Sequence, residues 1–267
     1  MKDFYPIIEC CDGENEFISP EGYAKSHPDD YVNVEYVKNK QIKRAYIIFY
    51  DNPSENEFLG KLKVIFKFHA GSTSTDVFEY KNSLIAIAHL GGPAAALLME
   101  KLSVFGIKEF IAIGSAGCLD DNYKSDYILV EKAIRDEGTS YHYLKPSTYV
   151  QTDKSLTTEL ANYLDSIGFT YKKGITWTDD ALYRETTDKV KMARELGAVA
   201  VELECASWAA VAKYRHLKFT QLLYFSDVFK QSGWSRLGKR IFGKGNPHKD
   251  LIVNMIKDMI DKNCSVH

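Results

Sequence analysis

Apolar residues recur along the chain both as short continuous runs and at helical spacing. Four β-rich runs separated by turns come first, and strand-like and helix-like segments alternate from residue 91 onward. The predicted strands are 45–50, 61–68, 77–80, 83–90, 107–113, 127–133, 171–177, 198–201 and 222–225, and the predicted helices are 94–105, 156–167, 187–196, 205–214 and 247–261. Because strands that alternate with helices form sheets covered on both faces, we predict a single α/β domain with a central mixed, twisted β-sheet flanked by helices.

The first part of the chain lacks this periodicity. Residues 1–42 are polar, with turn signals at 12–13, 20–22 and 28–30. We therefore predict an irregular N-terminal extension over residues 1–42 that packs on the core. The α/β domain is predicted to occupy residues 43–267.

Two of the predicted strands lead directly into carboxylates. Glu202, Leu203 and Glu204 follow one apolar run, and Asp227 closes another. A carboxylate at the end of a buried strand is costly unless it is paired or hydrogen-bonded, and open α/β folds bind ligands at such strand ends. The alternative is that Glu204 only begins the next helix, where a negative charge suits the helix dipole. The repetition at Asp227 favours a site.

Two junctions between strands and helices carry weaker signals. The sequence Gly-Ser-Ala-Gly at 114–117 is predicted to break a buried strand, so that its backbone amides and the Ser115 hydroxyl could bind an anion. At the other junction, His89 and Gly91 precede a helix that begins with proline. Each pattern alone is more often structural than functional.

Composition excludes several classes of protein. Hydrophobic residues make up 45% of the chain, charged residues 26%, and the net charge is −2, as in an ordinary globular protein. We expect neither nucleic acid nor a membrane as a partner, because the one basic cluster, at 236–244, is short and no window is long enough to span a bilayer. Five irregularly spaced cysteines and no signal peptide at the first residues predict a reducing, cytoplasmic location without a disulfide framework or zinc site.

Taken together, the motifs resemble those of the nucleoside phosphorylase-I superfamily. The resemblance covers residues 83–230 and is closest to the uridine-phosphorylase-like branch. The motifs that occur in the family order are Gly-Gly-Pro at 91–93, Gly-Ser-Ala-Gly at 114–117, Arg-Asp-Glu-Gly-Thr-Ser-Tyr at 135–141, Gly-Ile-Thr-Trp-Thr at 174–178, Val-Glu-Leu-Glu at 201–204 and Ser-Asp at 226–227.

The resemblance implies a role for each of these positions. Glu204 would accept hydrogen bonds from the ribose hydroxyls, and Asp227, kept protonated by burial, would act as general acid at purine N7. Ser115 would bind phosphate or a nucleophilic water. The other implied substrate-binding residues are Gly114, His89, Gly91, Leu182, Tyr183, Glu202, Leu203, Arg135 and Ser226. Phosphate would be the co-substrate, with no other cofactor and no metal.

The resemblance also implies a homo-oligomer, between a dimer and a hexamer, in which a neighbouring subunit completes the site. Arg44 and His142 are candidates to reach across.

The chain departs from the phosphorylase pattern in two places. It lacks an early Gly-Asp-Pro-x-Arg stretch, and Ala112 stands where phosphorolytic members have an arginine that binds phosphate. Arg135, Arg184 or Arg240 could substitute for that arginine. Three interpretations therefore remain open: a phosphorylase of purine, less readily pyrimidine, nucleosides; a hydrolytic nucleosidase; and a nucleoside-binding protein without turnover.

Overall fold

A computed structural model describes residues 16–120, 125–230, 233–237 and 247–264. The strands are β1 (Arg44–Ile48), β2 (Lys63–Ala70), β3 (Thr73–Tyr80), β4 (Ser83–Ile87), β5 (Glu109–Cys118), β6 (Tyr127–Asp136), β7 (Tyr149–Gln151), β8 (Lys172–Asp179), β9 (Ala198–Glu202), β10 (Lys218–Lys230) and β11 (Gly233–Arg236). The helices are α1 (Pro20–Ser26), α2 (Val34–Asn39), α3 (Gly92–Val104), α4 (Lys154–Ser166), α5 (Thr187–Glu195), α6 (Cys205–Tyr214) and α7 (Pro247–Cys264). Arg240, with most of the basic cluster, lies outside the described residues.

These strands form one mixed sheet, and part of it closes on itself. β5 pairs in parallel with β1 and β10, whereas β10 pairs antiparallel with β6. β8 pairs in parallel with both β6 and β9, and the end of β9 pairs antiparallel with the end of β5. The five strands β5, β10, β6, β8 and β9 therefore form a ring, and β1, β4, β3 and β2 extend the sheet from β5.

Helices cover both faces of the sheet. On one face, α3 and α6 share an apolar core with the central strands, to which Met99, Trp208 and Phe219 contribute. On the other face, α4 and α7 pack through Leu160 and Ile256, among others. The predicted α/β fold with a mixed, flanked sheet is confirmed. No helix in the described part of the chain is both long enough and apolar enough to span a membrane.

The N-terminal segment is more regular than its sequence suggested. Within residues 16–42 the structure has the helices α1 and α2, so the predicted irregular conformation is wrong for this part. The Ser19 hydroxyl accepts a hydrogen bond from the Gly22 N–H and so caps α1. The Val37 side chain of α2 is fully buried in the apolar core. The polar composition hid these two short helices because α1 buries no side chain and α2 buries only that of Val37.

The predicted strand break at 114–117 is also wrong. β5 continues through Gly-Ser-Ala-Gly to Cys118 because β10 pairs with it along this stretch, as far as Val228 opposite Cys118. β10 likewise extends beyond Asp227, and a shift in register leaves Ser226 without a partner on β5. The backbone of 114–117 is therefore part of the sheet, and the turn that was expected to cradle an anion is absent.

Candidate functional site

A cavity of about 490 Å³ opens where β5, β9 and β10 meet. Gly117 on β5 pairs with Val201 on one side and with Asp227 on the other. A Cβ at position 117 would lie 2.7 Å from the Phe229 ring and 3.0 Å from Val201 Cγ1, so only glycine allows both strands to approach. The residues that line the cavity are Phe49, Leu90, Ser115, Ala116, Gly117, Leu182, Tyr183, Glu185, Val201, Glu202, Leu203, Glu204, Ser226, Asp227, Phe229, Trp234 and Arg236.

Glu204 is buried in the wall of this cavity, immediately before α6. Its Oε1 accepts a hydrogen bond from the Gly91 N–H at 2.6 Å. Gly91 has a φ of 97°, a conformation that glycine adopts without strain, and this directs its N–H at the carboxyl group. Burial, followed by the charge of Glu202, raises the pKa of Glu204. Gly91 therefore acts on the site through Glu204.

Glu202 lies beside Glu204 but is held by a different set of groups. Its Oε1 accepts a hydrogen bond from the Thr178 hydroxyl at 2.6 Å, and its Oε2 accepts from the Glu204 and Cys205 amides at 2.8 and 2.7 Å. Burial raises the pKa of Glu202, although these hydrogen bonds oppose the shift. The carboxylate that accepts hydrogen bonds from the amides at the start of α6 is therefore that of Glu202. The Glu204 carboxyl group is left available to bind a ligand.

Asp227 faces the same cavity from β10 but is only partly buried, whereas the sequence predicted a buried carboxyl group. Its Oδ1 accepts a hydrogen bond from the Ser226 hydroxyl at 2.6 Å, and its Oδ2 accepts one from Trp234 Nε1 at 2.5 Å. Ser226 is buried and also lines the cavity, and its hydroxyl orients the carboxylate. Sequence reasoning missed Trp234, because it reaches Asp227 only through the pairing of β11 with β10.

The end of the cavity around Ser115 is largely apolar. Ser115 is half-buried, and the Phe49 ring stands 3.1 Å from the position that a Cβ on Gly114 would occupy. Ala112 is fully buried in the apolar core, so an arginine introduced there would bury its charge. Among the described residues that line the cavity, Arg236 is the only cationic side chain.

Several of the predicted residues lie outside the cavity wall. Arg135 is buried, and its guanidinium donates to the Ser140 and Ser147 hydroxyls at 2.8 Å each. It also donates to the carbonyls of Leu144 and Lys145, so that it holds the 138–147 loop. The Gly114 backbone lies behind Phe49.

His89 also lies outside the cavity wall, at the turn that leads into α3. Its Nδ1 is 3.4 Å from the Thr73 hydroxyl, and its ring centroid is 5.6 Å from that of Phe68. No described residue hydrogen-bonds to its buried Nε2.

The two residues suggested for reaching a neighbouring subunit differ in how they are engaged. The Arg44 guanidinium forms ion pairs with Glu109 and Glu159 at 2.6 and 2.5 Å, and Arg44 begins β1 at the end remote from Phe49. His142 is exposed. Of the two, the His142 side chain has the greater freedom to contact another chain.

Leu182, Tyr183 and Glu185 form one side of the cavity. The side chains of Leu182 and Tyr183 are 52% and 96% exposed, so they stand at its mouth. Glu185 is partly buried, and burial together with the charges of Asp179 and Asp227 raises the pKa of Glu185 to about 7. No motif pointed to Glu185, because it follows the predicted base-packing pair, Leu182 and Tyr183, in a segment that lacks the family's base-reading residues.

Comparison with known proteins identifies a family whose sequence pattern this chain matches. A sequence model described as the phosphorylase superfamily matches residues 48–238. A uridine phosphorylase from Thermococcus kodakarensis is 32% identical over 112 residues, which are 41% of this chain and 40% of the relative. A guanosine phosphorylase from Halorubrum lacusprofundi is 29% identical over 130 residues, which are 48% of this chain and 54% of the relative.

A DeoD-type purine nucleoside phosphorylase from Aliivibrio fischeri is 26% identical over 157 residues, covering 57% of this chain and 66% of the relative. The chain thus spans between 40% and 66% of the length of these three curated relatives.

Proposed function

The chain belongs to the phosphorylase superfamily, and from this premise we propose that it cleaves the N-ribosidic bond of a purine nucleoside with phosphate, yielding free base and ribose 1-phosphate. The observation that carries the proposal is the pair of carboxyl groups in one cavity, Glu204 on the β9 side and Asp227 on β10. A ribose and a base need polar partners at two separate points, and these two groups supply them.

In the proposed mechanism the ribose hydroxyls donate hydrogen bonds to Glu204, which the Gly91 amide holds in place. Leu203 lies against the sugar, and Leu182 and Tyr183 contact the base. As the bond between the sugar and the base stretches, positive charge develops on the ribose and negative charge on the base. Glu204 stabilises the first charge, and Asp227 in its protonated form gives its proton to N7, so that the base leaves neutral while a phosphate oxygen bonds to C1′ of the ribose. Fixed orientation of both halves supplies the remainder of the catalysis.

Ser115 is the proposed contact for phosphate, which enters from the side of the sugar opposite the base. Because Arg236 is the only cation among the described lining residues, phosphate should bind weakly. Each missing charge-assisted contact costs about 1.5–3 kcal/mol, or roughly a tenfold to hundredfold loss of affinity. We propose phosphate as the co-substrate and no further cofactor, since acid catalysis and electrostatic stabilisation suffice for this reaction.

We predict that base release depends on phosphate with a high half-saturation concentration. The measurement follows release of free base from guanosine, inosine, adenosine and uridine over a range of phosphate concentrations. Purine nucleosides should be cleaved faster than uridine, because Asp227 is matched to purine N7. Release of uracil faster than any purine base would contradict the assignment of the substrate class.

A second candidate function, hydrolysis, is favoured by the Phe49 ring at the anion end and by the buried Ala112. An apolar wall without a guanidinium suits a water molecule better than a phosphate dianion. The same experiment separates the two: cleavage at full rate in phosphate-free buffer, with free ribose as product, would replace phosphorolysis by hydrolysis. Nucleoside binding without base release would identify a binding protein that has lost turnover.

We also propose that the chain forms at least a homodimer. Four apolar side chains stand exposed around the cavity mouth, where a second copy would cover them: Leu90 (70% exposed), Leu182 (52%), Tyr183 (96%) and Trp234 (55%). Multi-angle light scattering at micromolar concentration should give the mass of two or three chains, or a multiple of either. A strictly monomeric species at that concentration would contradict this prediction.

For its location we propose the cytoplasm. Cys205 is a buried free thiol, which suits a reducing compartment.

A further inference from the structure

Glu185 is a carboxyl group that the mechanism above does not use, although it faces the same cavity. It lies on the side that carries Leu182 and Tyr183, where the base is expected to bind. It is partly buried, and no described residue donates a side-chain or backbone hydrogen bond to it. A half-buried carboxyl without a donor leaves its acceptor capacity unused, and a ligand with paired N–H groups would satisfy it.

We propose that Glu185 selects the base by hydrogen-bonding to its ring edge, and that it favours 6-oxopurines, guanine above all. This inference rests on the proposed function, because it assumes that a base lies between Glu185 and Asp227. Asp227 is assigned to N7, and Glu185 would face the opposite edge of the same ring system.

The donor pattern of each base explains the expected preference. Guanine presents two adjacent donors, N1–H and the 2-amino group, which a carboxylate can accept through both oxygens. Hypoxanthine presents only the N1–H. Adenine has a bare N1 that repels a carboxylate, and uracil has a single N–H between two carbonyl oxygens. An ionised Glu185 therefore ranks guanosine first, inosine second, and adenosine and uridine last.

Protonation of Glu185 should reverse part of this ranking. A neutral carboxyl can donate to adenine N1 while it accepts from the 6-amino group. The charged groups around Glu185 are Asp179 on β8, Asp227 on β10, Lys189 on α5 and Arg236 on β11. Burial, with the two aspartates, raises the pKa of Glu185 to about 7, against the smaller opposing effect of Lys189. The carboxylate is thus present above pH 7 and is lost as the pH falls below it.

The test compares kcat/KM for guanosine and adenosine in the wild type and in Glu185→Gln. A carboxamide loses the paired acceptors but can pair with adenine, so the guanosine-to-adenosine ratio of kcat/KM should fall at least tenfold. The kcat/KM for guanosine alone should fall by up to about a hundredfold. In the wild type the ratio should rise between pH 6 and pH 8.5, and in Glu185→Gln it should stay flat. Because both substrates carry the same ribose, changes at Glu204 cancel in this ratio.

Asp188→Asn is the matched control, since Asp188 is an exposed carboxylate three residues away that does not line the cavity. It should leave the ratio unchanged. A ratio that is the same in the wild type, Asp188→Asn and Glu185→Gln would overturn the proposal. The alanine side chain of Glu185→Ala can neither accept nor donate a hydrogen bond. This variant should have a lower kcat/KM for guanosine but no higher kcat/KM for adenosine, and that result would show that the effect comes from hydrogen bonding.

Calorimetric titration of the two nucleosides without phosphate distinguishes failure of this inference from failure of the proposed function. If the wild type releases no base, the proposed function is wrong. Tighter binding of guanosine than of adenosine, lost in Glu185→Gln, would still support the role of Glu185. Equal binding of both nucleosides, or no binding of either, would overturn it.

Discussion

Replacement of Asp227 by asparagine should lower kcat/KM for guanosine about a hundredfold to ten-thousandfold, the usual contribution of a general acid. Asparagine keeps the size of the side chain and can still accept the hydrogen bond from Trp234, but it cannot deliver a proton to N7. The fold should be retained, because Asp227 is only partly buried and its neighbours Ser226 and Trp234 keep a polar partner.

The comparison with 7-methylguanosine makes this test specific to proton transfer. Its N7 already carries a methyl group and a positive charge, so its base leaves without protonation. Asp227→Asn should therefore cleave 7-methylguanosine at close to the wild-type rate while it fails on guanosine. An equal loss on both substrates would assign Asp227 to binding or to folding. Asp188→Asn serves as the control for a carboxylate-to-amide change outside the cavity.

Replacement of Glu204 by glutamine should lower kcat/KM about a hundredfold to a thousandfold for every nucleoside, whatever its base. In the proposed mechanism the carboxylate accepts hydrogen bonds from the ribose hydroxyls and stabilises the positive charge that develops on the sugar, and glutamine would supply neither the negative charge nor the second acceptor. The Gly91 amide can still donate to the carboxamide oxygen, so the local structure should persist.

Two controls separate the role of Glu204 from those of its neighbours. Glu131→Gln changes an exposed glutamate on β6 and should leave activity unchanged. Glu202→Gln should instead lower the thermal stability, since an amide nitrogen would face the Thr178 hydroxyl or the amides that open α6. Wild-type turnover in Glu204→Gln, measured with guanosine and uridine, would remove Glu204 from the active site.

Much of the fold could be predicted because periodicity reports burial directly. The helices α3 to α7 match their predicted positions to within a few residues, since each buries one face on the sheet. The stretch 114–117 could not be predicted correctly. Its glycines signal a turn in isolation, whereas in the protein Gly117 is required so that β9 and β10 can approach β5 on either side. That requirement arises from tertiary contacts that no local window contains.

The site shows the same division. Glu204 and Asp227 could be singled out because a carboxylate after an apolar run is conspicuous, and the structure brings both to one cavity. Phe49, Glu185 and Trp234 could not, because each belongs to a segment without a recognisable motif and reaches the cavity through the path of the chain. Arg135 illustrates the opposite error: its motif suggested ligand binding, but its guanidinium is engaged by the 138–147 loop.

Phosphorus NMR of the reaction of guanosine with phosphate tests most directly whether this cavity transfers ribose to phosphate. We predict that the wild type forms ribose 1-phosphate in step with free guanine, and that the double variant Glu204→Gln, Asp227→Asn forms none over the same period. Formation of free ribose while the phosphate signal stays constant would contradict phosphorolysis. Formation of ribose 1-phosphate by the double variant at the wild-type rate would contradict the assignment of the cavity as the active site.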